Sequence, residues 1–404
     1  MDEESRQRPD ERPAPGPAVE SFGQAGTGNW VVEGDNLEAL TLLMPIYRSR
    51  VKVIYIDPPY NTGNTRYRFR DRFGGDDDRH ARWLSFMRPR LAILRECLEP
   101  SGAIFVSIDD CELFRLGLLM DELFGEANRL GVVCWEKKYG VQNDARSFSM
   151  NHEYLLCYAR DRESVRVRLL PRSDEMDRRY RNRDDDPRGP WKSGDFSVKT
   201  PSASYMYPIT LPSGRVVTPP PGRSWCTNVQ RFQELVADRR IWFGRLGDAK
   251  PQLKQFLSEV RSGKVPSSLW RHSEVGHTDQ AKRELKRILD VSGADFQTPK
   301  PTALVKRCIQ LLAGPDDLVL DAFAGTGTTG QAVLELNRDD PARRRFLLVE
   351  SGNGDDRFCR ELTVERLVRV ITGDHRAGKV AGTGGGFAFV RSRDLPAALP
   401  AWGS

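Results

Sequence analysis

Two short strings in the sequence hold residue types that chemistry uses. The first is Asp57-Pro58-Pro59-Tyr60. It follows Val53-Ile54-Tyr55-Ile56, a β-branched and aromatic run that reads as a buried strand. Proline cannot donate to a strand ladder, so the pair lies beyond the strand and leaves Asp57 at its carboxyl end. In open α/β sheets that end is where ligands bind. The tetrapeptide is therefore either a turn or a site. The second string, Gly325-Thr326-Gly327-Thr328-Thr329-Gly330, has G-x-G-x-x-G spacing between an expected strand and helix, and Glu350 ends the next expected strand. Glycines let the backbone approach a ligand, and an acid on the following strand accepts hydrogen bonds from ribose hydroxyls. NAD and S-adenosyl-L-methionine both satisfy that chemistry, and a purely structural glycine turn stands beside them. Context favours S-adenosyl-L-methionine. A dinucleotide fingerprint normally opens its domain, whereas this turn comes after at least two strands. Asp321, ahead of the turn, suits the ammonium of a bound amino acid and would repel a phosphate. No G-x-x-x-x-G-K-[ST] string supports a P-loop.

The elements that must position these strings can be read outward from them. "NWVVEGDNLEAL" is a short strand, a turn at Gly34-Asp35-Asn36 with Asn36 as N-cap, and a helix from Leu37. After the strand and Asp57 comes a polar loop at 61–79. Trp83, Phe86, Met87, Leu91, Leu94 and Leu98 recur at helical spacing, and Pro100 and Gly102 stop that helix before the strand "AIFVSID". "CELFRLGLLMDELFG" is helical and "HEYLLCYAR" is a strand. Strand, helix, strand order announces a parallel sheet. Residues 161–280 change texture, with Arg, Asp, Pro and Gly around aromatic islands, and read as a separate module. The βα rhythm returns over 281–375. The expected organisation is a disordered tail over 1–27, two core halves over 28–160 and 281–375, the module between them, and an extension over 376–404.

Composition bounds the remaining options. A chain of 404 residues suggests two or three units, and its apolar runs are too short to span a bilayer. The N-terminal "MDEESRQRPDERPAPGPAVE" lacks the order of a secretory signal, so a cytoplasmic location is expected. Seven scattered cysteines without a C-x-x-C pair read as reduced thiols, and five dispersed histidines predict no metal site. A formal net charge of +6 permits a polyanionic partner.

Taken together, D-P-P-Y and the later F-x-G-x-G of Phe323, Gly325 and Gly327 resemble the amino-group DNA methyltransferases. D-P-P-Y first, glycine motif second and a module between is the order of their β class. The strings "GDNLEAL", "IYIDPPYNTGN", "GAIFVSIDD", "NHEYLLCYAR", "TPKPTALVKRCI", "LDAFAGTGTTGQAVLELN", "RRFLLVE" and "CRELTVERLVRVITG" are most similar to modification subunits of type III restriction systems. The resemblance implies an S-adenosyl-L-methionine-dependent, Rossmann-like mixed sheet with helices on both faces, permuted motif order and an inserted target recognition domain. It implies that Asp57 and the Pro58 carbonyl bind an adenine amino group, that Pro58 and Pro59 stiffen the loop, and that Tyr60 stacks on the flipped base. Asp35 would contact the cofactor's adenine and Glu350 its ribose. Asp321, Phe323, Gly325 and Gly327 would line the same cofactor, with Thr298 and Lys300 of "TPKP" at its border. By position the module is the recognition domain, with Arg178, Arg179, Arg181, Arg183, Arg188 and Lys192 as candidate phosphate contacts. Asp184, Asp185 and Asp186 interrupt them, so a solvated loop is the competing reading. Aspartate before P-P-Y leans to adenine over cytosine in the family. Double-stranded DNA, a homodimer and a restriction subunit are the implied partners, although the chain is short for such a modification subunit. A dehydrogenase and a non-catalytic DNA-binding subunit are the rivals from other classes.

Overall fold

The computed structural model describes residues 19–63, 71, 73–75, 78–141, 147–290, 298–351 and 358–395. These residues divide into two units, Met1–Arg168 with Ser267–Ser404, and Leu169–Pro266. The second unit is shorter at both ends than the module expected over 161–280. Residues after Ser267 rejoin the first unit because Leu269–Trp270 pairs in parallel with Cys134 and Trp135.

The first unit is built on one ten-stranded sheet. Its strands are β1 (Val19–Gly23), β2 (Trp30–Glu33), β3 (Val51–Ile56), β4 (Leu98–Ile108), β5 (Arg129–Glu136), β6 (His152–Ala159), β7 (Leu269–Trp270), β8 (Leu318–Asp321), β9 (Arg345–Glu350) and β10 (Gly386–Arg391). Their spatial order is β1, β10, β2, β9, β8, β3, β4, β6, β5, β7. From β10 to β4 all neighbours run parallel, whereas β6 is antiparallel to both β4 and β5, so the sheet is mixed.

Two strands correct the expected boundaries. Within the supposed tail, Val19–Gly23 pairs antiparallel with Gly386–Arg391 of the supposed extension. The latter strand then joins β2, so both ends of the described chain complete the sheet. Their signals are weak because "VESFG" borders a Pro- and Arg-rich run and "GFAFVR" follows a glycine cluster that reads as linker. The remainder of the expected tail, 1–18, and 396–404 lie outside the described residues.

Helices cover both faces of the sheet because its central strands are apolar on both. Val32, Ile54, Ile56, Ile104 and Val106 share a core with α1 (Asn36–Tyr47), α2 (Arg79–Cys97) and α3 (Leu113–Phe124). Side chains of opposite parity, such as Val53, Tyr55 and Leu348, are equally buried, as a strand covered on both faces requires. On that side Leu348 and Leu367 close on Gly330. Longer helices of this unit further along the described chain are α4 (Thr278–Ile288), α5 (Thr302–Leu312), α6 (Thr328–Asp339) and α7 (Glu365–Thr372). Each fully buried Val or Ile in β3 contributes about 1.5–3 kcal/mol, which fixes the strand that ends at Asp57. Helix α2 runs through Pro89 and stops at Cys97, so the strand after it begins at Leu98, five residues earlier than the apolar run beginning at Ala103 suggests.

The second unit has its own small core of Phe196, Ile209, Leu211, Val217, Trp225 and Ile241. Short antiparallel strands frame it, chiefly Gln252–Phe256 between Ile241–Trp242 and Trp191–Asp195. No helix among the described residues is long and apolar enough to cross a membrane.

Candidate active site

Both motifs emerge at carboxyl ends of adjacent strands. β3 and β8 pair in parallel, Val53 with Val319 and Ile54 with Leu320. By that register Asp321 stands opposite Tyr55, two residues before Asp57, at the same end of the sheet. The two carboxylates lie close enough for the charge of Asp57 to oppose ionisation of Asp321.

At the first motif, Trp83 of α2 donates its indole N–H to the Pro59 carbonyl at 2.7 Å and pins the diproline. No donor among the described residues reaches the Pro58 carbonyl. Asp57 is bound from two sides. Lys300 Nζ donates to Oδ1 at 2.8 Å and to Oδ2 at 2.9 Å, and the Tyr60 hydroxyl donates to Oδ1 at 2.8 Å. The Lys300 ammonium also lies 5.0 Å from the centre of the Tyr60 ring. Burial pushes the Asp57 carboxyl up, with Lys300 opposing and Glu153 reinforcing the shift. Burial works against a charged Lys300, but Asp57 and Glu153 outweigh it and hold the ammonium protonated.

The resemblance places Lys300 at the border of the cofactor pocket, whereas the structure places its ammonium on Asp57. Thr298, two residues earlier, is exposed. Three side chains that hold this site carry no motif signal: Trp83 and Glu153, which bond the loop, and Lys137, which bonds Glu153. Glu153 had one physical clue, an acid beside the apolar run of the strand "HEYLLCYA", because a buried charge must be paired to be tolerated.

The glycine turn is fixed by its own acids. Asp321, 2% exposed, accepts the Phe323 N–H at 3.0 Å and the Thr329 hydroxyl at 2.5 Å. Burial raises its pKa to about 7. Gly325 and Gly327 take φ of +52° and +80°, in the left-handed region that favours glycine. The third glycine serves packing, since a Cβ on Gly330 would lie 2.8 Å from Leu367 Cδ2 and 3.0 Å from Leu348 Cδ1. Glu350 closes the turn by accepting the Gly325 N–H, and burial lifts its carboxyl to about 8. A π-helical segment, Cys359–Val364, carries the Thr363 hydroxyl to the Gly325 carbonyl at 2.6 Å. Arg366, 1% exposed, donates to the hydroxyls of Thr326 and Thr328 and to Gln331 Oε1.

Asp35, one strand over, is the N-cap of α1 instead of Asn36. Its Oδ1 accepts the N–H groups of Leu37 and Glu38 at 2.9 and 3.1 Å, which stabilises the helix start. Its side chain is 59% exposed, so its other oxygen has room for a ligand beyond its 3.3 Å contact with Arg90. Asn36 ties this cap to the turn by donating to the Ala322 carbonyl at 3.0 Å. The Phe323 ring is half-buried against Phe86, 6.2 Å between centres.

In the second unit the basic candidates separate. Arg178, Arg179, Arg181 and Arg183 are exposed. Arg183 lies 5.2 Å from the Trp191 ring and Lys192 5.5 Å from the Tyr180 ring. Arg188 is engaged internally: it grips Asp186 through two bonds of 2.9 Å, reaches the Asp238 carbonyl at 2.8 Å and covers Phe256. The expected acidic interruption is partly a structural device, because Lys254 is buried between Asp184 and Asp186. Among the described residues no cluster of three or more His, Cys, Asp or Glu side chains is arranged to hold a metal ion.

Acid-bearing loops at the carboxyl ends of two central parallel strands place the protein in the open α/β class, in which ligands bind at that end of the sheet. The family follows from sequence comparison. The DNA methylase profile N6_N4_Mtase matches residues 51–354, and the chain belongs to that family. It is 36% identical over 348 residues to the Mod subunit of the type III restriction-modification enzyme StyLTI of Salmonella typhimurium, covering 79% of this chain and 52% of that one. The chain thus spans about half the length of that relative. It is 32% identical over 358 residues to the type II methyltransferase M.KpnI of Klebsiella pneumoniae, covering 81% of each. Among solved structures, a putative DNA modification methylase of Thermus thermophilus complexed with S-adenosyl-L-methionine matches with a TM-score of 0.39 and 15% identity. That match covers 82% of this chain and 95% of the other.

Proposed function

We propose that the protein transfers a methyl group from S-adenosyl-L-methionine to the exocyclic N6 amino group of an adenine flipped out of double-stranded DNA. The observation that carries this reading is the emergence of Asp57 and the glycine turn from neighbouring parallel strands.

The cofactor fits the residues present. Asp321 and Glu350 are buried acids pushed well above the usual carboxylate range, so both gain from an ammonium or a hydroxyl donor. Asp321 would hold the ammonium, Glu350 the ribose, Asp35 the adenine, and Phe323, Gly325 and Gly327 the wall between them. When bound, the cofactor supplies an electrophilic methyl on its sulfonium.

The chain's own residues prepare the nucleophile. The amino lone pair of adenine is delocalised into the ring, and hydrogen bonds from its two protons draw electron density back to nitrogen. The open Pro58 carbonyl accepts one proton. Asp57 Oδ2 accepts the other, because it has a single partner here and a carboxylate oxygen takes two. Trp83 and the two prolines hold those acceptors still before substrate arrives. The Tyr60 ring, anchored through its hydroxyl, offers a face for the flipped base.

Leu169–Pro266 is the proposed target recognition unit, with Arg178, Arg179, Arg181, Arg183 and Lys192 as phosphate contacts. The motif order corresponds to the permuted β class. A role in modification, alone or with a restriction subunit, a homodimeric state and a cytoplasmic location complete the proposal. Nucleoside analysis of DNA from cells expressing the protein tests it. N6-methyladenine is expected, and N4-methylcytosine as the sole new base would overturn the choice of target.

A further inference from the structure

Glu153 is a buried acid beside Asp57 to which the chemistry above gives no task. It sits on β6, 9% exposed, in a strand whose other inward positions are apolar. Its Oε2 accepts from the Tyr60 hydroxyl at 3.2 Å and lies 3.4 Å from Lys300 Nζ, while Lys137 Nζ holds its Oε1 at 3.0 Å. Tyr60 and Lys300 are also the two donors that bind Asp57. Together they fill Oδ1 twice and Oδ2 once. Glu153 thus touches both groups that decide where the open lone pair of Asp57 points, and it shares with Asp57 the charge of one ammonium.

We infer that Glu153 is a positioning residue of the transfer site, holding Tyr60 and Lys300 against Asp57 and drawing on the Lys300 charge so that Asp57 stays a strong acceptor. The inference rests on the methyl-transfer reading above. Without the negative charge of Glu153, Lys300 would pair with Asp57 alone and weaken the hydrogen bond that enriches the amino nitrogen. Lys137 acts in the opposite sense, since its ammonium neutralises part of Glu153.

Among the described residues the titratable groups facing Asp57 are Lys300, Tyr60, Glu153, Tyr55 and Asp321, and Asp109 and Lys137 also face Glu153. The test is single-turnover transfer of labelled methyl to unmethylated genomic DNA across a pH series, for the natural protein, Glu153→Gln and Lys137→Met. Glu153→Gln is expected to lower the plateau rate about ten- to a hundredfold, as misplacement of a reacting group does. S-adenosyl-L-methionine affinity, read by calorimetry, should stay within about twofold, which marks a loss confined to the transition state. Its acidic limb should move down by about one pH unit, because a negative neighbour of Asp57 is gone. For Lys137→Met the limb should move up, because a positive neighbour is gone. Limbs that stay put or move together, or a natural rate in Glu153→Gln, would overturn the role of Glu153. The Lys137→Met shift decides the matter even where Glu153→Gln folds poorly. A folded natural protein that binds cofactor and transfers nothing would sink the methyl-transfer reading itself, and this inference with it.

Discussion

Replacing Glu350 with glutamine keeps the shape of the glycine-turn acid and removes its charge. In the free protein burial lifts this carboxyl from 4.5 to about 8. An acid whose folded-state pKa is raised binds more protons folded than unfolded, so its contribution to stability is full below pH 4.5 and is lost as pH rises toward 8. Each pH unit inside that window costs about 1.4 kcal/mol. Between pH 4.5 and neutrality the natural protein should therefore lose on the order of 3 kcal/mol through Glu350 alone. Glu350→Gln should flatten that part of the stability curve in urea unfolding. Cofactor binding should respond in the opposite way, because ribose hydroxyls donate to the ionised acid and charge-assisted hydrogen bonds are worth about 1.5–3 kcal/mol. The variant should bind S-adenosyl-L-methionine about ten- to a hundredfold more weakly above pH 8, with a smaller deficit below neutrality. Calorimetry in buffers of different ionisation enthalpy should show proton release on binding at neutral pH for the natural protein and less for the variant. The variant retains any titration of the cofactor itself, so the difference isolates Glu350. Equal affinity and equal proton release in both proteins would refute the reasoning.

Further outcomes follow from individual contacts. Lys300→Met leaves Asp57 and Glu153 facing each other without their shared cation, and should destabilise the fold by about 3–5 kcal/mol. Adding Asp57→Asn should recover part of that loss in thermal unfolding. Gly330→Ala puts a methyl 2.8 Å from Leu367 Cδ2 and 3.0 Å from Leu348 Cδ1. The overpacking of about 1–3 kcal/mol is offset by about 1 kcal/mol of helix propensity, so a net loss of up to about 2 kcal/mol is expected with cofactor affinity largely kept. Changing Arg178, Arg179, Arg181 and Arg183 together to alanine should reduce the salt dependence of DNA binding by about 0.9 in log–log slope for each phosphate contact removed. An unchanged slope would return those arginines to a solvated surface.

Legibility in the sequence followed the reach of each signal. Asp57 and the glycine turn stood out because their spacing is local and strand ends can be read from β-branched runs. Strands β2, β3, β4, β6, β8 and β9 were legible as apolar and β-branched runs, whereas β5 and the two-residue β7 were not read. The partners of Asp57 were not, because Lys300 lies 243 residues away and Glu153 lies 93 residues from Tyr60. Nothing local marks such pairs before the sheet brings β3, β6 and the segment before α5 together. Strand β10 was missed because its pairing with β2 is non-local and its flanks are glycine-rich. Asp35 and Asn36 were exchanged at the helix start because both are good N-caps, and only the structure shows which oxygen receives the Leu37 and Glu38 N–H groups.

Transfer of labelled methyl from S-adenosyl-L-methionine to unmethylated genomic DNA, comparing the natural protein with Asp57→Ala, tests the central claim most directly. The account predicts label in N6-methyladenine after digestion to nucleosides, abolished by the substitution while cofactor binding persists. Undiminished transfer by Asp57→Ala, or none by a folded and cofactor-bound natural protein, would contradict it.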